Sequence, residues 1–82
     1  MRITIKLWGY FTKLLPSNSQ GYQMEIECAD GLTAREVIEE IKVPFKECRM
    51  MLLNGTSYTE PELWSQIEIR DGDTMAVLPN IH

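Results

Sequence analysis

Residues 70–82 read Arg70-Asp71-Gly72-Asp73-Thr74-Met75-Ala76-Val77-Leu78-Pro79-Asn80-Ile81-His82, a polar turn that launches an apolar strand at the end of the sequence. Asp71-Gly72-Asp73 carries turn chemistry, and the short apolar run behind it reads as the terminal strand. Where this strand joins a sheet decides the architecture. A strand followed by a free carboxylate also offers that carboxylate to a partner, which makes the tail Pro79, Asn80, Ile81 and His82 the first candidate functional element.

Its natural neighbour is the other end of the sequence. Ile3, Ile5 and Leu7 alternate with Arg2, Thr4 and Lys6, the period of a strand with one buried face, over about residues 2–8. Gly9–Leu15 has apolar residues at helical spacing, and Pro16-Ser17-Asn18-Ser19-Gln20-Gly21 is turn-prone. Met24, Ile26 and Cys28 then alternate with Gln23, Glu25 and Glu27, a second strand able to form a hairpin with the first. Thr33 and Glu36 have the spacing of a capping box, so a helix is expected after Thr33, with Ala34, Val37, Ile38 and Ile41 on its apolar face and Val43-Pro44 as its stop. Arg49–Leu53 is a third strand closed by the Asn54-Gly55 turn. Thr56–Tyr58 returns as a brief edge strand, and Pro61–Trp64 forms a helical turn.

Strand, strand, one long helix, then short strands is an α+β order, which suits a mixed sheet of four to five strands with one main helix packed across it. With the first and last strands as parallel neighbours at the centre, it is a β-grasp, or ubiquitin-like, roll. Residues 1–82 are expected to form a single domain, since a chain this short has apolar surface for one core. A content of 44% hydrophobic and 24% charged residues places it among folded chains rather than disordered ones.

Twelve acidic against eight basic residues give a net charge of −4, which disfavours nucleic acid and anionic membrane as partners. The alternating N-terminus is unlike a signal peptide, no stretch approaches transmembrane length, and a cytoplasmic location is expected. Cys28 and Cys48 lack metal-ligand spacing, so both read as reduced thiols and no metal or cofactor is expected. Cys48, between Lys46 and Arg49, has the better electrostatics for a thiolate. His82 stands without carboxylate or cysteine neighbours at defined spacing, and the glutamates Glu36, Glu39, Glu40, Glu60 and Glu62 suit a solvated face. There is no phosphate-cradling loop, nucleophile elbow or metal cluster, so no catalytic residue is assigned and the chain is not expected to be an enzyme.

Five short motifs, in order, resemble one family: Phe11-Thr12-Lys13-Leu14-Leu15, Leu32-Thr33-Ala34-Arg35-Glu36-Val37-Ile38, Leu53-Asn54-Gly55, Asp71-Gly72-Asp73 and Val77-Leu78-Pro79. The chain resembles the small β-grasp sulfur carriers, namely the small subunit of molybdopterin synthase (MoaD) and the thiamine-biosynthesis carrier (ThiS). The resemblance implies two partners, a ubiquitin-activating-like adenylyltransferase and a sulfur-accepting enzyme of cofactor biosynthesis. It also implies a tail ending in two glycines, whose carboxylate is adenylated and converted to a thiocarboxylate. Asn80-Ile81-His82 fall where the pre-glycine residues of that family sit. A carrier is expected if two glycines follow His82 in the native protein; the alternative is a β-grasp module that binds without conjugating.

Strand parity supplies a partner surface independently of the resemblance. If Ile3, Ile5, Leu7, Met75 and Val77 face the helix, then Trp8, Ala76 and Leu78 face outward, and Met50 and Leu52 join them from the third strand. Such an apolar patch marks a contact site. The competing reading folds Trp8 over the sheet edge and uses the methionines to fill core gaps.

Overall fold

The computed structural model describes residues 1–17 and 19–80. Five strands, β1 (Arg2–Leu7), β2 (Gln23–Glu27), β3 (Cys48–Leu53), β4 (Thr56–Tyr58) and β5 (Thr74–Pro79), form one sheet in the order β2-β1-β5-β3-β4. β5 lies parallel to β1, with Ile5 opposite Met75 and Leu7 opposite Val77, and the other pairings are antiparallel. This is the β-grasp roll, with helix α1 (Ala34–Glu40) across one face. Ile3, Ile5, Leu7, Met51, Met75 and Val77 meet Ala34, Val37 and Ile38 in the core.

The register between β1 and β5 is fixed by the turn ahead of β5. Asp71 Oδ1 accepts from the Arg2 N–H at 2.7 Å, Gly72 N–H donates to the Arg2 carbonyl at 2.8 Å, and Thr4 N–H donates to the Asp73 carbonyl at 2.9 Å. Asp73 also binds the Asn54 side chain at 2.9 Å, while Asn54 Oδ1 accepts from Thr74 N–H at 2.9 Å. Asn54 and Gly55 both have positive φ, 51° and 87°, the geometry that a two-residue hairpin demands. The two turn signals of the sequence thus lock to each other.

Helix α1 opens on the expected capping box, with Glu36 N–H donating to Thr33 Oγ1 at 3.2 Å and Thr33 N–H donating to Glu36 Oε1 at 2.9 Å. Its end differs from the expectation. The helix stops at Glu40, before Val43-Pro44, because Lys42 adopts a left-handed φ of 62°. Lys42 N–H then reaches the Glu39 carbonyl at 3.1 Å and Val43 N–H reaches the Ile38 carbonyl at 3.2 Å. That pair of bonds is a Schellman cap, accompanied by burial of both Ile38 and Val43. Glycine usually holds this position, since a side chain there costs about 1 kcal/mol. Lys42→Gly is therefore expected to stabilise the fold by about 1 kcal/mol, read as a higher urea midpoint with an unchanged slope.

Three 3₁₀ segments complete the chain, at Gly9–Leu14, Phe45–Glu47 and Pro61–Gln66. The last buries Trp64 completely, and the Phe45 ring meets it edge-on with centroids 5.9 Å apart. Arg35 of α1 covers Phe45, its guanidinium carbon 4.0 Å from the ring centroid. Among the described residues no helix is long and apolar enough to cross a membrane.

Candidate functional site: the tail exit and the outer sheet face

β5 leaves the sheet between two restraints. On one side Gly9, with φ of 61°, comes so close to the Pro79 ring that a Cβ there would lie 2.9 Å from Pro79 Cγ. On the other, Asn80 N–H donates to the Glu47 carbonyl at 2.7 Å and Asn80 Nδ2 to the Lys46 carbonyl at 3.4 Å. Cys48 pairs with Pro79, and a register shift between Cys48 and Met50 accommodates Arg49. Pro79 is buried and Asn80 half-buried, so the chain is held up to the last described residue. Ile81 and His82, the remaining tail residues singled out in the sequence, lie outside the described residues.

The face of the sheet away from α1 carries the other candidates. Met50 is the Cα partner of Leu78, and Leu52 that of Ala76. Trp8 follows Leu7, the partner of Val77, and its N–H donates to the Val77 carbonyl at 3.3 Å, which sets it beside Leu78. Trp8, Leu52 and Ala76 line one shallow depression of about 130 Å³ together with Lys6, Gly55 and Thr74. Trp8 also lines a wider hollow of about 480 Å³ with Gly9, Thr12 and Tyr22, where Tyr22 is 64% exposed. The tryptophan is thus a wall between two concavities next to the tail.

Parity places these residues as expected, with one correction. Ala76 faces away from the core yet is only 3% exposed, because its methyl group forms the floor of the depression below larger neighbours. Trp8, Met50, Leu52 and Leu78 are half-buried, and Met51, not Met50, fills the core. The sequence reading missed the Gly9–Pro79 approach and the Asn80 clamp, both made by residues far apart in the chain. A glycine directly after a strand was the available signal.

The thiols are both free. Cys48, whose sequence neighbours give it the better electrostatics of the two thiols without any reactive role being assigned to it, is buried in the structure. It is 5% exposed, its Sγ donates to the Pro44 carbonyl at 3.6 Å, and burial, with the Glu47 charge second, pushes its pKa up to about 11. At pH 8 native Cys48 should alkylate with iodoacetamide about 100-fold more slowly than an ordinary cysteine, with peptide mass spectrometry as the readout. Because folding holds this proton on, the stability it contributes is complete below about pH 9 and is lost as pH rises toward 11. Cys28 is half-buried against the core, and desolvation raises its pKa as well. Among the described residues no cluster of three metal-binding side chains occurs.

The model of the ThiS family matches residues 9–81. Among solved structures, a protein described as molybdopterin converting factor, subunit 1, from Pyrococcus furiosus superposes with a TM-score of 0.67 at 26% identity, covering 98% of each chain. A second, from a complex of subunits 1 and 2 of the molybdopterin-converting factor of Helicobacter pylori, has a TM-score of 0.56 at 17% identity and covers 100% of this chain and 97% of its own, a likeness of fold. No curated protein matches the chain in sequence.

Proposed function

Since the chain belongs to the ThiS family of β-grasp sulfur carriers, we propose that it carries sulfur on its C-terminal carboxylate into the synthesis of a sulfur-containing cofactor. The observation that carries this reading is the doubly restrained exit of β5, which would present whatever follows Asn80 from a rigid base. In this scheme the carrier has no catalytic residue of its own. An adenylyltransferase joins the carboxylate to the α-phosphate of ATP with release of pyrophosphate. A sulfur donor then displaces AMP to leave a thiocarboxylate, and the acceptor enzyme takes the sulfur and returns the carboxylate. Two glycines after His82 would let the tail thread a narrow channel, since residues without side chains approach a nucleotide closely.

The outer face is the docking surface in the same proposal. Trp8, Met50, Leu52 and Leu78 supply apolar contact, with Ala76 in the depression that Trp8 and Leu52 flank. The partners are an adenylating enzyme and an acceptor subunit of the cofactor pathway. The test is the intact mass of the protein isolated from its own cells, before and after incubation with ATP and the host activating enzyme. A chain that continues through two glycines and exchanges one oxygen for sulfur is the expected result. A mass that ends at His82 and never changes overturns the carrier chemistry and leaves a module that binds through the same face.

A further inference from the structure

Of the asparagines in the chain, Asn18, Asn54 and Asn80, only Asn54 is followed by glycine. In an Asn-Gly pair the glycine nitrogen meets no side chain of its own on the way to the asparagine Cγ, so this dipeptide closes to a succinimide more readily than Asn-Ser or Asn-Ile. Asn54 and Gly55 are both exposed at the turn between β3 and β4. Apart from its chain neighbours, nothing lies within 4 Å of where a Gly55 Cβ would stand, and water reaches the site freely.

Against this open backbone stands a side chain that is fully engaged. Asn54 Nδ2 donates to Asp73 Oδ1 at 2.9 Å, Asn54 Oδ1 accepts from Thr74 N–H at 2.9 Å, and Asn54 N–H donates to the Thr74 carbonyl at 2.9 Å. The amide is thereby held toward β5, and Asp73 Oδ2 is fixed in turn by the Arg70 N–H at 2.8 Å. Ring closure makes Cγ tetrahedral and binds it to the Gly55 nitrogen, a geometry that both side-chain bonds oppose.

We infer that Asn54 is a modification site, whose deamidation is gated by opening of the β3–β4 turn and whose product does not relatch it. The Gly55 nitrogen loses its proton and attacks Asn54 Cγ; the N–Cγ bond forms, the Cγ–Nδ2 bond breaks and ammonia leaves. Water then opens the imide at one carbonyl to give an aspartate, or at the other to give an isoaspartate. An aspartate has no N–H for Asp73 and sets two carboxylates at hydrogen-bonding distance, where they repel. An isoaspartate lengthens a two-residue turn by one backbone carbon, which the pairing of Leu53 with Thr56 does not accommodate. Because the Asp73 carbonyl also accepts from Thr4 N–H, either product loosens the junction that sets the register of β1 and β5. The inference is independent of what the tail carries.

The experiment follows the Asn54 peptide by mass spectrometry while the full chain is held at mildly alkaline pH, folded or unfolded in guanidinium chloride. The folded parent should deamidate at least about tenfold more slowly than the unfolded one, since each hydrogen bond lowers the population of the open turn. Folded Asp73→Ala, which frees Nδ2, should react at a rate between the two, with urea unfolding of the same sample showing that it is folded. Asn54→Asp should unfold at a lower urea midpoint, and adding Asp73→Asn to it should recover most of the loss by restoring an N–H between the two side chains. Equal rates for the folded and unfolded parent overturn the gating. A midpoint for Asn54→Asp equal to that of the parent overturns the unlatching, and absence of conversion at Asn54 even in the unfolded chain overturns the site itself.

Discussion

Trp64→Ala should lower the unfolding free energy by about 3–5 kcal/mol, a large part of what an 82-residue domain of ordinary stability possesses. Trp64 is fully buried at the meeting of the Pro61–Gln66 segment with α1 and β3, and Phe45 packs edge-on against it. Removing the indole leaves a cavity that the stiff 3₁₀ segment cannot collapse to fill. The indole also carries a cost, because its Nε1 is buried without a hydrogen-bond acceptor among the described residues. Trp64→Phe loses part of the packing but removes that orphaned donor, which is worth about 1–3 kcal/mol, so its net effect should stay within about 1 kcal/mol. Urea unfolding of both variants checks the pair. Equal destabilisation by Ala and Phe would mean that the N–H is satisfied in solution and that its partner dominates the site.

The second large effect concerns binding rather than folding. Leu78→Asp sets a charge in the middle of the outer face, opposite Met50 and beside Trp8, without touching the core cluster. A carboxylate desolvated in an interface without a partner should weaken the complex with the acceptor enzyme by at least about 2 kcal/mol, roughly 30-fold. Trp8→Ala, which removes the wall between the two hollows, should cost a similar amount, as central tryptophans of interfaces do. Thermal unfolding should place both variants within about 1 kcal/mol of the parent, since Asp in a strand loses little more than local propensity. Unchanged affinity in both variants would remove the outer face from the proposed function.

Much of this fold was legible in the sequence because its signals are local. The alternation of Ile3, Ile5 and Leu7, the Thr33–Glu36 box and the Asn54-Gly55 turn each specify backbone geometry within a few residues. The end of α1 was not legible in the same way, since a lysine gives no hint of left-handed geometry and the stop was assigned to Pro44 instead. The depth of Cys48 was not legible for a related reason. Its neighbouring cations in the sequence bear on ionisation, but the strand turns the sulfur inward, where desolvation dominates. Parity found the outward residues of the candidate face but not the depth of Ala76, which depends on the size of side chains from three strands.

The parallel pairing of β1 with β5 has a mechanical consequence. A pull on the residues beyond Asn80 acts along β5, across hydrogen bonds to β1 on one side and β3 on the other. Those bonds are loaded in shear, so they share the force instead of parting one after another as they would if a strand were peeled from an edge. If an enzyme draws the tail into a channel, as the proposed function requires, it could therefore tug on it hard without unravelling the domain behind it.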